Sequence, residues 1–496
     1  EHRLFYTRIV VLLQYLLTGQ ISFYLIILIG NLSLLGILVV CWQQLKAAGY
    51  SLLYLFPVSL ILFQPCYSYD GVLWPAATLA YNSVSFFAIL TVHWLSTRRN
   101  LHFWLAVFCA MLCTYTFGNG VVVLIAGLIM LLVQKRWKAC LFWVGLSVFI
   151  TTIYFYDYTQ IQSRNNPFKN ITEHPFYVFA NFLVFLGSAL NWDDSWPKLL
   201  TITDIESLIG GGVVLIIACY VFYHSFKSLF SSIRHSYSSI SEFLLGGFTF
   251  FILTGLLLSL SRVNKDELLL HINRYRINSV VLLILGYLSL LPFLKQYRFS
   301  YKLFLGGLVG FWILSYFHFY AVFSEYKRTY LAGQFNWTNN HQWFIYRDTS
   351  YWEEASKMVM DTAQKQLQYR LSQAPFAHTR MKNEVIPTLK IEHLPAQQYL
   401  SVEASSSYLT PFASGKDYYL AFKNLNQSKV YLTNTSYNRR SIRYVLLGEN
   451  YYYPLFHSSF TYKHFPEGKY QLGIAITEKN TLEIKWHPFT FDAIQE

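Results

Sequence analysis

The sequence predicts a polytopic α-helical membrane protein ending in an all-β sandwich domain. Three observations predict it. Hydrophobic residues make up 54% of the 496 positions and charged residues only 13%, against roughly a quarter charged in soluble domains. The shortage of charge is concentrated before residue 325, in long apolar runs joined by short loops. From about residue 388 the pattern changes to short alternating runs divided by turn residues, the signature of strands.

The candidate spans are 20–42, 48–66, 75–95, 101–117, 120–134, 137–157, 206–226, 242–262, 275–294 and 302–324. A bilayer crossing takes about 20 apolar residues, so this makes about ten spans, some of them short. Residues 4–17 read as an amphipathic helix along the interface or as an extension of the first span. The chain opens on Glu1 rather than Met and shows no signal peptide, so a preceding span is expected.

Loop charge sets the orientation. Lys46, Arg98, Arg99, Lys135, Arg136, Lys138, Lys227, Arg234, Lys295, Arg298 and Lys302 fall in one set of loops. These loops hold almost no acid and are expected to face the cytoplasm. The alternate loops carry Asp70, Asp157, Glu173, Asp193, Asp194, Asp266 and Glu267 and face outward. Residues 176–190 are apolar, yet as a crossing they would reverse the sign of every later loop. They are expected to be re-entrant or to lie at the outer interface. The net charge of +13 is spread over loops rather than gathered on one soluble face, which excludes a nucleic-acid binder and fits contact with lipid head groups.

The six cysteines (Cys41, Cys66, Cys109, Cys113, Cys140 and Cys219) all lie in or beside apolar runs, with none in the C-terminal part. They read as small buried apolar residues, not as disulfides or zinc ligands. Residues 325–387 are expected to form an extracytoplasmic connector. Within it, Ser350 and Glu353 have capping-box spacing, and Trp352, Ala355, Val359, Ala363 and Leu367 share one face of an amphipathic helix. In 388–496 the runs TLKIEH, DYYLAFKN, KVYLTNT, SIRYVLL, YYYPLFHSSF, KYQLGIAI and TLEIKWHPFTF predict a sandwich of about seven strands. Tyr451, Tyr452 and Tyr453 suit either carbohydrate stacking or ordinary strand faces.

Several chemically capable groups gather on the outward side: Glu1-His2-Arg3; Tyr69-Asp70-Gly71; Asp157 among tyrosines; Asn191-Trp192-Asp193-Asp194; and the stretch Arg262, Lys265, His271, Arg274, Tyr275 and Arg276. A carboxylate at the membrane boundary can take a proton from a sugar or lipid hydroxyl. Arginines at the same depth can grip phosphate oxygens in a bidentate fork. Each group also has a plainer reading. Asp70 can cap a turn, Asp157 can end a helix in solvent, and the arginines can anchor helix ends to head groups. Asp193 and Asp194 have the composition of a divalent-metal pair, but a solvated loop is the simpler account. Gly118-Asn119-Gly120 reads as a tight turn, and Gly210–Gly212 as a site of close helix packing.

With Glu1-His2-Arg3, Phe117-Gly118-Asn119-Gly120 and Arg274-Tyr275 in place, residues 1–324 resemble the GT-C superfamily of membrane glycosyltransferases. More closely, they resemble a bacterial group of polytopic proteins with the same short marks. The resemblance implies a polyprenyl-phosphate-linked sugar as donor, an envelope glycan or lipid as acceptor, and a bacterial inner-membrane location. Glu1 then matches the acid of the first external loop and Asp70 that of the second. Arg262 and Arg274, with Tyr275, match the basic groups around the lipid phosphate; Arg276 is expected to hold the phosphate with the two arginines, and His2, Arg3, Asp157 and Lys265 fall to substrate binding. No metal or other cofactor is implied where arginines carry the phosphate charge. A glycolipid transporter or flippase, and a non-catalytic envelope assembly protein, are the competing expectations.

Overall fold

The computed structural model describes residues 4–156, 167–191, 202–230, 239–261, 273–344, 357–362, 376, 378–382, 389–405, 416–463, 465–478 and 481–494. It divides into two compact units, 1–319 and 320–496, the division falling within the Arg298–Asn340 helix. That helix continues beyond the expected span end at 324.

The first unit is helical. Among the described residues seven helices are long and apolar enough to cross a membrane: Phe23–Ala47, Pro75–Ser96, Trp137–Phe155, Ile205–Lys227, Ser239–Ser261, Arg276–Gln296 and Phe299–Asn340. The Phe23–Ala47 helix has 25 residues, about 37 Å at 1.5 Å per residue, and the Ser22 hydroxyl caps its start at Leu25 N. Shorter apolar helices occupy Phe5–Thr18, Leu52–Leu62, Asn100–Thr116, Gly118–Val133 and Pro175–Leu190. The expected spans 48–66, 101–117 and 120–134 correspond to members of this shorter set.

Two glycine readings have a direct steric cause. A Cβ on Gly120 would collide with the Cys113 carbonyl, so the Gly118–Val121 turn can fold back only with glycine there. A Cβ on Gly211 would meet the Leu183 carbonyl, which brings the Ile202–Phe230 helix against Pro175–Gly187. Five cysteines are buried, and Cys219 is exposed on its helix.

The second unit carries nine strands among the described residues: β1 His378–Lys382, β2 Leu389–Leu394, β3 Tyr399–Ser405, β4 Lys416–Asn424, β5 Val430–Asn434, β6 Ser436–Arg439, β7 Tyr452–Thr461, β8 Gly468–Glu478 and β9 Thr481–Ala493. They form a five-stranded sheet in the order β1-β9-β8-β4-β5 and a four-stranded sheet in the order β2-β3-β7-β6. β1 runs parallel to β9, and it comes from the stretch expected to be connector. Leu420, Phe422 and Leu472 of the first sheet share one buried cluster with Leu400, Val402, Phe456 and Phe460 of the second. Tyr419, Ala421, Leu432 and Ile484, on the other face of the five-stranded sheet, pack with Ala332 and Phe335 of the long helix. Strand β4 is therefore buried on both faces, which explains its unbroken apolar run Tyr-Tyr-Leu-Ala-Phe. An Asn-Gln-Ser turn joins β4 to β5, and Asn424 Oδ1 accepts from Asn426 N and Gln427 N at 2.9 and 3.0 Å.

One expected strand is corrected. SIRYVLL is not a strand; it holds the short helix Ile442–Leu446. β6 pairs directly with β7, and Arg440 N donates to Tyr451 O at 2.8 Å. The intervening residues have no neighbouring strand and close their hydrogen bonds locally instead. Tyr452 is buried, whereas Tyr453 is exposed.

Buried tyrosines make this unit sensitive to alkali. Burial pushes the Tyr437 phenol up to about 12, with the Arg328 guanidinium opposing the shift. Burial likewise raises Tyr418, Tyr431, Tyr452 and Tyr470. A phenol of raised pKa contributes stability that is complete below its unfolded value of about 10 and is lost as pH climbs through the folded value. For Tyr437 alone the loss is on the order of 3 kcal/mol. Loss of near-ultraviolet dichroism is therefore expected to coincide with tyrosinate absorbance above pH about 10. Free titration of these phenols at their ordinary value, with the fold intact, would contradict it.

Candidate functional site

The strongest candidate site forms where three distant segments meet at one end of the helical unit. The Ser68–Val72 helix carries Asp70, the Asn273–Tyr275 turn carries Arg274 and Tyr275, and the π-helical turn Thr78–Asn82 carries Tyr81 and Asn82. A π-turn inside a longer helix widens the backbone and recurs at functional positions. Here it sits beside Gly30, where a Cβ would come within 2.6 Å of Thr78.

Two asparagines hold the Asp70 segment. Asn31 Nδ2 donates to Val72 O at 2.8 Å, and Asn82 Nδ2 donates to Gly71 O at 3.1 Å and to Asn31 Oδ1 at 3.3 Å. From the other side, Arg276 NH1 donates to Cys66 O at 2.8 Å. Arg276 is only 1% exposed, and its guanidinium lies 5.9 Å from the Phe319 ring. Its observed work is to hold the loop that leads into Asp70.

Arg274 is half-buried, with its guanidinium 5.9 Å from the Trp74 ring centroid and 5.6 Å from that of Tyr275. Burial opposes its charge. Tyr275, Tyr81 and Asp70 outweigh that effect together, so its pKa lies above the ordinary value. Tyr81 packs edge-on against Tyr275 at 5.3 Å and, tilted, against Phe117 at 4.6 Å. The Phe117-Gly118-Asn119-Gly120 and Arg274-Tyr275 motifs, more than 150 residues apart in the chain, are thus bridged by one tyrosine that sequence reasoning passed over.

The structure therefore brings Asp70, Arg274, Tyr275 and Arg276 together. Glu1, His2, Arg3, Asp157, Arg262 and Lys265 lie outside the described residues, as do Asp193 and Asp194. Among the described residues no group of three or more His, Cys, Asp or Glu is arranged to hold a metal ion. His174 stands 3.9 Å from the Glu173 carboxylate.

Sequence reasoning missed a second polar cluster, at the opposite, basic end of the same helices. Glu242 is buried and accepts from Arg98 Nε at 2.9 Å and from Gln134 Nε2 at 2.6 Å. Nearby, Gln44 Nε2 lies 2.8 Å from His93 Nδ1 and donates to Ser96 Oγ at 3.2 Å, while Ser239 Oγ donates to Gln44 Oε1 at 3.3 Å. The available signal was Ser239–Glu242 capping-box spacing at a span's mouth, an acid among basic loops.

Fold and site together define a membrane protein with apolar helices fit to cross a bilayer and a C-terminal β-sheet unit. Comparison with models of protein families, with curated proteins and with solved structures finds no match.

Proposed function

We propose that the protein is a membrane glycosyltransferase of the GT-C kind, moving a sugar from a polyprenyl-phosphate donor to a cell-envelope glycan or lipid. The reaction is assigned to the periplasmic face of a bacterial inner membrane. The observation that most supports this reading is the packing of the short helix that carries Asp70 against the turn that carries Arg274, across about 200 residues of chain. In this reading the chain makes about ten crossings, residues 176–190 enter without crossing, the basic loops face the cytoplasm, and the two sheets form a sandwich.

The chemistry is a single displacement. Glu1 takes the proton from the acceptor hydroxyl as its oxygen bonds to the anomeric carbon. The bond from that carbon to the donor's phosphate oxygen breaks, and its electron pair leaves with the lipid phosphate. Arg274 neutralises the charge that develops there. Asp70 orients the acceptor, and Arg276 positions the Asp70 loop. His2, Arg3, Asp157, Arg262 and Lys265 are assigned to substrate binding from the sequence alone. Transport, the competing reading, asks for ionisable groups near the middle of spans. Glu242 lies in the first turn of its helix and is already engaged by Arg98 and Gln134, so it lends transport no support.

The test substitutes Glu1→Gln and Asp70→Asn separately in the full chain and follows envelope glycan. Glu1→Gln is expected to lower transfer roughly 100- to 10,000-fold, and Asp70→Asn to a smaller extent. Unchanged glycan at normal expression of both variants would reject the assignment.

A further inference from the structure

The Ile442–Leu446 helix and the residues after it form an apolar tip on the second unit. Leu446 and Leu447 are 80% and 70% exposed. Tyr444 and Tyr453 are also exposed beside them. Adjacent leucines so fully in water are costly to leave unused, and such a patch marks a surface that meets something apolar.

Charge and backbone indicate what it meets. Arg439, Arg440 and Arg443 flank the tip against one acid, Glu449, which is paired with Arg440. Arg440 also lies 4.9 Å from the Tyr453 ring centroid. Leucines ringed by arginine and tyrosine match the layering of an anionic bilayer surface, with acyl chains below, glycerol next and phosphate outermost. The tip's backbone is closed on itself: Tyr444 N donates to Ser441 O, Leu447 N to Arg443 O, Gly448 N to Val445 O and Glu449 N to Tyr444 O, at 3.0 to 3.2 Å. Entering the interface therefore leaves these amides satisfied. The chain's own apolar helices fix it to a bilayer, which keeps a lipid surface at high effective concentration.

We propose that the 441–448 tip inserts Leu446 and Leu447 into the interface of a bilayer carrying anionic phospholipid, with Arg439 and Arg443 on the phosphates. The test uses the full chain in nanodiscs, with Cys219→Ser and an environment-sensitive fluorophore on Leu446→Cys. A matching probe on Gln427→Cys, in the exposed β4–β5 turn, serves as control. In discs containing phosphatidylglycerol, spin-labelled lipid is expected to quench the probe at 446 and not the one at 427. Arg439→Gln with Arg443→Gln should shift the 446 probe toward water by about tenfold, as should replacing the lipid with pure phosphatidylcholine. A water-exposed probe at 446, or equal quenching in the two lipids, overturns the proposal. So does a probe shielded from water but not reached by lipid quencher, since that outcome means a protein occupant.

Discussion

Arg274→Gln is expected, on the proposed glycosyltransferase reading, to cut sugar transfer roughly 1,000-fold, about 4 kcal/mol of transition-state stabilisation. The size follows from the site. The guanidinium is half-buried between Trp74 and Tyr275, and its charge is sustained there despite burial. On that reading a leaving lipid phosphate gains negative charge as the sugar departs, and a cation half-buried between two aromatic rings is screened less than it would be in water. Because that charge grows along the reaction, the loss should appear in kcat as well as in kcat/KM. Arg274→Lys should restore only part of the rate. A lysine keeps the charge but loses the planar fork and the stacking against Trp74 and Tyr275, each such contact contributing about 1 kcal/mol. Measuring donor dependence in both variants decides the matter. Full turnover in the glutamine variant would remove Arg274 from the chemistry, and full turnover in the lysine variant would show that a point charge suffices.

How far such a site can be read from sequence depends on how local each cause is. Gly120 and Gly211 were legible because glycine within a turn or an apolar span has few other uses. The apolar runs were legible for the same reason, since bilayer thickness is a fixed demand on each run taken alone. Strand β3, absent from the expected runs, had the alternation, with Leu400, Val402 and Ala404 facing inward, but Glu403 and Ala404 are residues that strands disfavour. SIRYVLL has β-branched composition and still becomes a helix, because strand formation needs a partner edge and β6 already pairs with β7.

The extension of the long helix to Asn340 failed for the opposite reason. Asn336, Thr338, Asn339 and Asn340 are poor helix formers, and their segment read as loop. Two of them serve the edge of β5 instead: Asn336 Oδ1 accepts from Leu432 N at 2.7 Å and its Nδ2 donates to Leu432 O at 2.8 Å, while Asn340 Nδ2 donates to Val430 O at 2.6 Å. That pairing covers a sheet edge and repays the weak propensity. The candidate site shows the same limit. Asp70 and Arg274 were visible as residue types, but Asn31 and Asn82 acquire meaning only when two helices come into register. Asn31, a polar residue in an apolar span, holds the loop that carries Asp70.

The Glu242 cluster gives the sharpest energetic expectation, because its two charged members are unequally buried. The Glu242 side chain is 2% exposed and that of Arg98 is 49% exposed. Arg98→Met should therefore destabilise the helical unit by about 3 kcal/mol, since it leaves a buried carboxylate with Gln134 as its chief donor. Glu242→Gln should cost less, about 1–2 kcal/mol, because Arg98 keeps much of its hydration, the amide oxygen can still accept from it, and Gln134 Nε2, which loses its acceptor at 242, keeps Leu95 O. If these were independent surface effects, the double variant would lose the sum. The expected result is that Arg98→Met with Glu242→Gln is more stable than Arg98→Met alone by roughly 1–2 kcal/mol, because the second change removes the stranded charge that made the first so costly. Reversible unfolding of the four proteins in mixed micelles measures the coupling directly. Additive losses, or a cheaper arginine than glutamate substitution, would mean that the carboxylate reaches water by another route. The basic end of the bundle would then be held by its apolar packing rather than by this ion pair.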